Sequence, residues 1–200
     1  MGDPRGKKQL VPTNPRKQRL LLRSGLVGLA VVVAIVAWLA TRGDGQGGDS
    51  GAAPAEPTVG IVSPAGLAAA SAKLGQPLYW AGPGPGTELE LEELPEGGAR
   101  VIYLPAGEAA GADSATALTI GSYPLADPEA ALRDFAARPG AIVRHASDGT
   151  EVVSSREQPT SVYFVGSDKT VQVEVYDPSP RRAMRLALSG RVRPVAGGGR

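Results

Sequence analysis

The sequence predicts an α+β fold: an antiparallel sheet with three short helices packed on one face, preceded by one transmembrane helix. Three observations carry that prediction. Residues 24–41, SGLVGLAVVVAIVAWLAT, run 18 positions without a charge. Ser63-Pro64, Asp127-Pro128 and Asp177-Pro178 each set an N-cap residue before proline, and each opens an amphipathic stretch that stops near Gly75, Gly140 or Gly190. Between those stretches apolar residues recur with period two, the spacing of antiparallel strands with one covered face.

The first element, residues 1–23, carries seven basic side chains against Asp3 alone, with Pro4, Pro12 and Pro15 and no apolar period. A disordered cytoplasmic tail is expected. No aromatic residue interleaves these charges, so nucleic acid is not an expected partner. Residues 24–42 follow as the transmembrane helix. Eighteen residues in helix cover about 27 Å, close to the hydrocarbon thickness of a bilayer. Cleavage after Ala40 would put Trp38 where a signal peptidase takes a small side chain, and the chain has no cysteine for a lipid anchor. An uncleaved span is therefore expected, with the lipid bilayer as its partner. The net charge of +1 conceals an asymmetry: residues 24–200 keep 14 of 21 basic side chains but 19 of 20 acidic ones. The positive-inside rule then gives a single-pass protein of the cell membrane, N-terminus cytoplasmic and C-terminal domain extracytoplasmic.

Residues 43–57, GDGQGGDSGAAPAEP, read as a flexible Gly/Pro linker. Residues 58–195 read as one domain, long enough to bury a core without disulfides, and residues 196–200 as a disordered C-terminus. In the first helix Leu67, Ala70 or Ser71, and Leu74 share a face. Thr87 to Glu92 puts Leu89 and Leu91 on one side and Glu88, Glu90 and Glu92 on a solvated one. Ala99 to Leu104 and Leu118 to Tyr123 continue the sheet. The second helix presents Ala131, Leu132 and Phe135. Strands follow at 142–145, 151–154, 161–165 and 170–176; in the last, Val171, Val173 and Val175 face in and Gln172, Glu174 and Tyr176 face out. The third helix presents Met184, Ala187 and Leu188. A helix followed by strands thus occurs twice, over 65–104 and 128–176, with negligible identity between the two.

The residues that carry chemistry are few. His145 is the sole histidine and ends a strand, and no G-x-S-x-G elbow occurs. Gly82-Pro83-Gly84-Pro85-Gly86 lacks the N–H groups of a phosphate loop and reads as a rigid turn. Glu88, Glu90, Glu92 and Glu93 diverge along a strand and do not encircle a cation. No catalytic residue, metal site or cofactor is implied. Tyr79 and Trp80 are candidate ligand-binding residues, with a core role as the competing reading. Arg181, Arg182 and Arg185 are candidate contacts for an anionic partner. Near a helix N-terminus they oppose the dipole, so pairing with Glu174 or Asp177 is expected.

Three strings, Leu74 to Pro83, Pro159 to Phe164 and Gln172 to Pro180, resemble uncharacterised single-span membrane-anchored proteins of actinobacteria. The resemblance implies an anchored ectodomain and brings no activity or catalytic residue with it. The leading expectation is a tethered extracytoplasmic binding or interaction module without catalytic activity, facing a protein, cell-envelope polymer or small ligand. One alternative is an envelope-associated hydrolase using loop carboxylates such as Asp113, Asp127 or Glu129. Another is an accessory or regulatory subunit of a membrane complex. The topology has a direct test: the full chain should sediment with membranes, and protease added outside intact cells should remove a C-terminal epitope.

Overall fold

The computed structural model describes residues 58–111 and 114–196. The tail, span and linker predicted over residues 1–57 lie outside them, as does Asp113. Among the described residues no helix is long and apolar enough to cross a membrane.

The elements run β1 (Thr58–Val62), α1 (Pro64–Leu74), β2 (Tyr79–Trp80), β3 (Thr87–Glu93), β4 (Ala99–Pro105), a 3-10 turn (Ser114–Thr116), β5 (Leu118–Pro124), α2 (Pro128–Ala136), β6 (Ala141–His145), β7 (Glu151–Ser155), β8 (Ser161–Val165), β9 (Val171–Tyr176), α3 (Pro180–Leu188) and β10 (Arg193–Pro194). Eight strands form one sheet in the order β1-β3-β4-β5-β9-β8-β7-β6, every pair antiparallel, and β2 pairs with β10 beside it. The fold is α+β. The two meanders, β3 to β5 and β6 to β9, meet along the seam between β5 and β9.

Two helices start as the sequence dictates. Ser63 Oγ accepts from Gly66 N at 3.1 Å to cap α1, and Asp127 Oδ1 accepts from Ala130 N at 2.8 Å to cap α2. The third does not. It begins at Pro180, two residues after the predicted start, because the Asp177 carboxylate is taken by the Ser179 amide at 2.7 Å and by Arg182. Helix α2 ends at Ala136, short of the predicted Gly140; that glycine, with φ +82°, turns the chain into β6.

Strand pleat sorts the core. On one face Leu89, Leu91, Val101, Ile120, Val173, Val175, Val162 and Phe164 pack with Leu67 and Ala70 of α1 and Ala183 and Ala187 of α3. Tyr163 lies between Val162 and Phe164 and so points to the opposite face, where Phe135 of α2 meets its ring edge-on, centroids 5.4 Å apart. The expectation of three helices on one face is therefore corrected: α1 and α3 share a face and α2 covers the other. Solvated outer positions are corrected too. Glu90, Gln172 and Glu174 are all buried. The segment after β4 folds back over the first of these: Gly111 N donates to Glu90 Oε2, Tyr176 donates to Ala115 O at 2.6 Å, and Ala117 packs on Ile102 and Leu104.

At the centre of this second face, one row of facing residues runs Glu92, Arg100, Gly121, Glu174, Tyr163. Arg100 donates to Glu92 at 3.2 Å. Glu174 accepts from Tyr123 at 2.9 Å and from Tyr163 at 3.0 Å. The Tyr123 ring lies across Gly121, where an added Cβ would come within 2.4 Å of the phenol oxygen. Burial first, and then the Glu174 charge, pushes both phenols well above their ordinary range. A folded-state pKa raised above the unfolded one contributes stability below about pH 10 that is lost as pH climbs. Urea denaturation followed by circular dichroism at stepped pH should therefore show a stability that falls as pH rises above about 10. Tyr163→Phe should lower stability by about 1.5–3 kcal/mol in urea denaturation and weaken that pH dependence.

Candidate functional site

One end of the sheet collects the start of β3, the end of β4, the start of β5 and the N-terminus of α3. A cavity of about 360 Å³ opens there, at the small end of the roughly 300–1,000 Å³ of ligand sites. Its walls are the Ala81–Gly86 loop, Thr87, Tyr103, Pro105, Leu118 and the side chains of Arg182 and Arg191.

The loop is held rigidly by its own chemistry. Gly82 and Gly86 take φ of +81° and +68°, which side chains other than glycine resist. Gly84 has no room for a Cβ, which would lie 2.6 Å from Thr87 Oγ1. That hydroxyl donates to Gly84 O at 3.0 Å. Tyr103 reaches up from β4 to accept from Ala81 N at 2.7 Å and donate to Gly82 O at 3.1 Å. Burial pushes the Tyr103 phenol up, and the Ala81 amide and the nearby Arg191 charge pull it partly back. The GPGPG string is thus a rigid turn, and it is also a wall of the cavity.

The arginines provide the charge. Arg182 binds Asp177 Oδ2 through Nε at 2.9 Å and through Nη2 at 2.8 Å, which fixes the head and leaves Nη1 outside the ion pair. Asp177 is 3 % exposed. Of its two expected arginine acceptors, Asp177 serves and Glu174 does not, since Glu174 points to the opposite face of the sheet from the core that α3 packs on. Arg191 follows the Gly190 turn and is exposed. Among the described residues no carboxylate or imidazole lines the cavity, and its wall offers guanidinium donors, the threonines Thr87 and Thr116, and apolar surface.

The residues singled out by sequence are scattered by comparison. Arg182 lines the cavity, whereas Arg181 and Arg185 are exposed and do not. Tyr79 is 2 % exposed; its ring packs edge-on against Phe164 and its hydroxyl accepts from Ser167 N at 2.6 Å. It is a core strut and offers no surface to a ligand. Trp80 pairs with Arg193 across β2 and β10 and packs on the core, one residue before the cavity wall. Asp127 is spent on its cap, and Glu129 pairs with Lys169 at 2.8 Å. Exposed His145 stands 3.8 Å from half-buried Glu151. Among the described residues no group of three potential metal ligands converges. Sequence reasoning missed Tyr103 and Arg191. An inward tyrosine needs a hydroxyl partner, which is a usable signal for the first; nothing in the local pattern marks the second.

Comparison of the chain with protein-family models, curated proteins and solved structures gives no match.

Asp177→Ala would strip acceptors from both Ser179 N–H and Arg182, and should cost about 1.5–3 kcal/mol of stability. Arg191→Ala should stay within about 0.5 kcal/mol. Urea denaturation of both variants checks this contrast.

Proposed function

We propose that this protein is a membrane-tethered, extracytoplasmic binding module without catalytic activity, and that it takes a small anion with an apolar body. The observation that carries the reading is the cavity: Arg182 and Arg191 in its wall, Pro83, Pro105 and Leu118 beside them, and no carboxylate among the described residues that line it. A guanidinium pair favours a phosphate or carboxylate head, and the prolines and leucine favour a ring or short chain attached to it. A rigid loop lowers the ordering cost of binding. The tether rests on the 18-residue uncharged run, the basic tail before it, and the resemblance to single-span actinobacterial proteins. Of the carboxylates the hydrolase reading would use, Asp127 and Glu129 already serve as a cap and an ion-pair partner, and Asp113 lies outside the described residues.

Calorimetry on the full chain in detergent tests it, with phenyl phosphate, inorganic phosphate and uncharged benzyl alcohol as probes. Phenyl phosphate should bind tightest and benzyl alcohol not at all. Arg191→Ala should weaken phenyl phosphate by about tenfold or more, while Arg181→Ala leaves it unchanged. Absence of binding by both phosphates, or equal binding by the Arg191→Ala variant, would overturn the reading.

A further inference from the structure

The two edges of the main sheet are guarded differently. On β6, Arg144 and His145 are exposed, and charged side chains on an edge deter pairing with another chain. On β1 the sequence is Thr58-Val59-Gly60-Ile61-Val62, with no charge and no proline. Such a run, rich in β-branched residues, pairs readily with another strand when its edge is free.

The register shows what that edge presents. Leu94 N bonds Gly98 O at 2.8 Å and Ala106 N bonds Gly86 O at 3.0 Å, so the even residues of β3 direct their backbone groups to β4. Its odd residues, Leu89, Leu91 and Glu93, therefore bond Val62, Gly60 and Thr58 of β1. Val59 and Ile61 are left with their N–H and C=O groups directed away from the sheet. Their side chains are also among the most exposed large apolar ones described, at 39 % and 46 %.

Gly60 is the residue that needs explaining. Its φ is not positive, and an added Cβ would meet nothing within 4 Å. Glycine in a strand interior weakens the strand, and here neither backbone conformation nor packing within the domain requires it. The remaining physical use for it is close approach by a second backbone.

We propose that β1 pairs with β1 of a second copy of this chain, antiparallel about a two-fold axis at Gly60, so that the two sheets become one. The strand is self-complementary in that register. Val59 of each copy faces Ile61 of the other and exchanges both backbone hydrogen bonds with it. The two glycines face each other as the closer, non-bonded pair, and Thr58 faces Val62. The β-branched side chains of Val59 and Ile61 then cover one another across the seam. No like charges meet. None of these residues lines the cavity, so this surface and the proposed binding function stand or fall separately.

The absence of cysteine from the chain makes the test clean. The full chain in detergent should sediment as a dimer. Gly60→Cys should give a disulfide-linked dimer on mild oxidation, while Val143→Cys, on the guarded edge, should not. Ile61→Lys should raise the dimer Kd by about tenfold or more while its far-UV circular dichroism spectrum stays that of the wild type. A monomeric wild-type chain, including one whose residues 43–57 cover β1 themselves, would overturn the proposal. So would a dimer unchanged by Ile61→Lys, which would place the contact in the span, or crosslinking of Val143→Cys as readily as of Gly60→Cys.

Discussion

An eight-stranded sheet has two broad faces to keep from water, and helices of eleven, nine and nine residues cannot cover both. The rest of the molecule follows from that shortage. Two helices go to the face where Val and Leu alternate inward, and a continuous apolar core forms there. The other face receives one helix and a folded-back segment, and beside the apolar contacts of Ile102, Leu104 and Ala117 they enclose polar groups. Burial of polar groups is tolerable only when they are bonded, so a carboxylate from β9 is met by phenols from β5 and β8. That carboxylate lies at the seam of the two meanders and ties both halves together where neither helix layer can.

The same shortage leaves one end of the sheet uncapped. Strands β3, β4 and β5 end there against a stiff glycine–proline turn, and α3 arrives with an arginine in its first turn. A positive charge at that position is unfavourable to the helix dipole, and the buried Asp177 offsets it. The pairing also fixes the direction of the guanidinium. A local electrostatic compensation within the fold thus becomes a rigid feature of the cavity wall.

Much of the secondary structure was legible because caps and periodicity are local. Ser63-Pro64 and Asp127-Pro128 start helices for reasons contained within four residues. Asp177-Pro178 looked the same and was not, since a carboxylate that could cap was claimed by Arg182, five residues on. Alternation in β3 and β9 gave the correct inner face and the wrong outer one. A period of two reports polarity, and Glu90 and Glu174 are polar yet buried, because their partners come from Gly111, Tyr123 and Tyr163. In β1 the β-branched residues Thr58, Val59, Ile61 and Val62 are a local strand signal, but a five-residue run interrupted by Gly60 shows no alternation, and its pairing with β3 is a tertiary relation. The cavity was half visible. Arg182 and the GPGPG string stood out as composition, while Arg191 and Tyr103 join them only through the tertiary fold.

The seam has a consequence in time. Strand β5 finds its neighbour in β9, so Thr119 waits for Tyr176 and Pro124 for Val171, across the whole second meander. Until the ribosome has delivered that last strand, the first half carries an unzipped border of hydrogen-bonding groups. Closure late in synthesis, over large sequence separations, makes for slow maturation and a nascent chain that depends on being shielded in the interval.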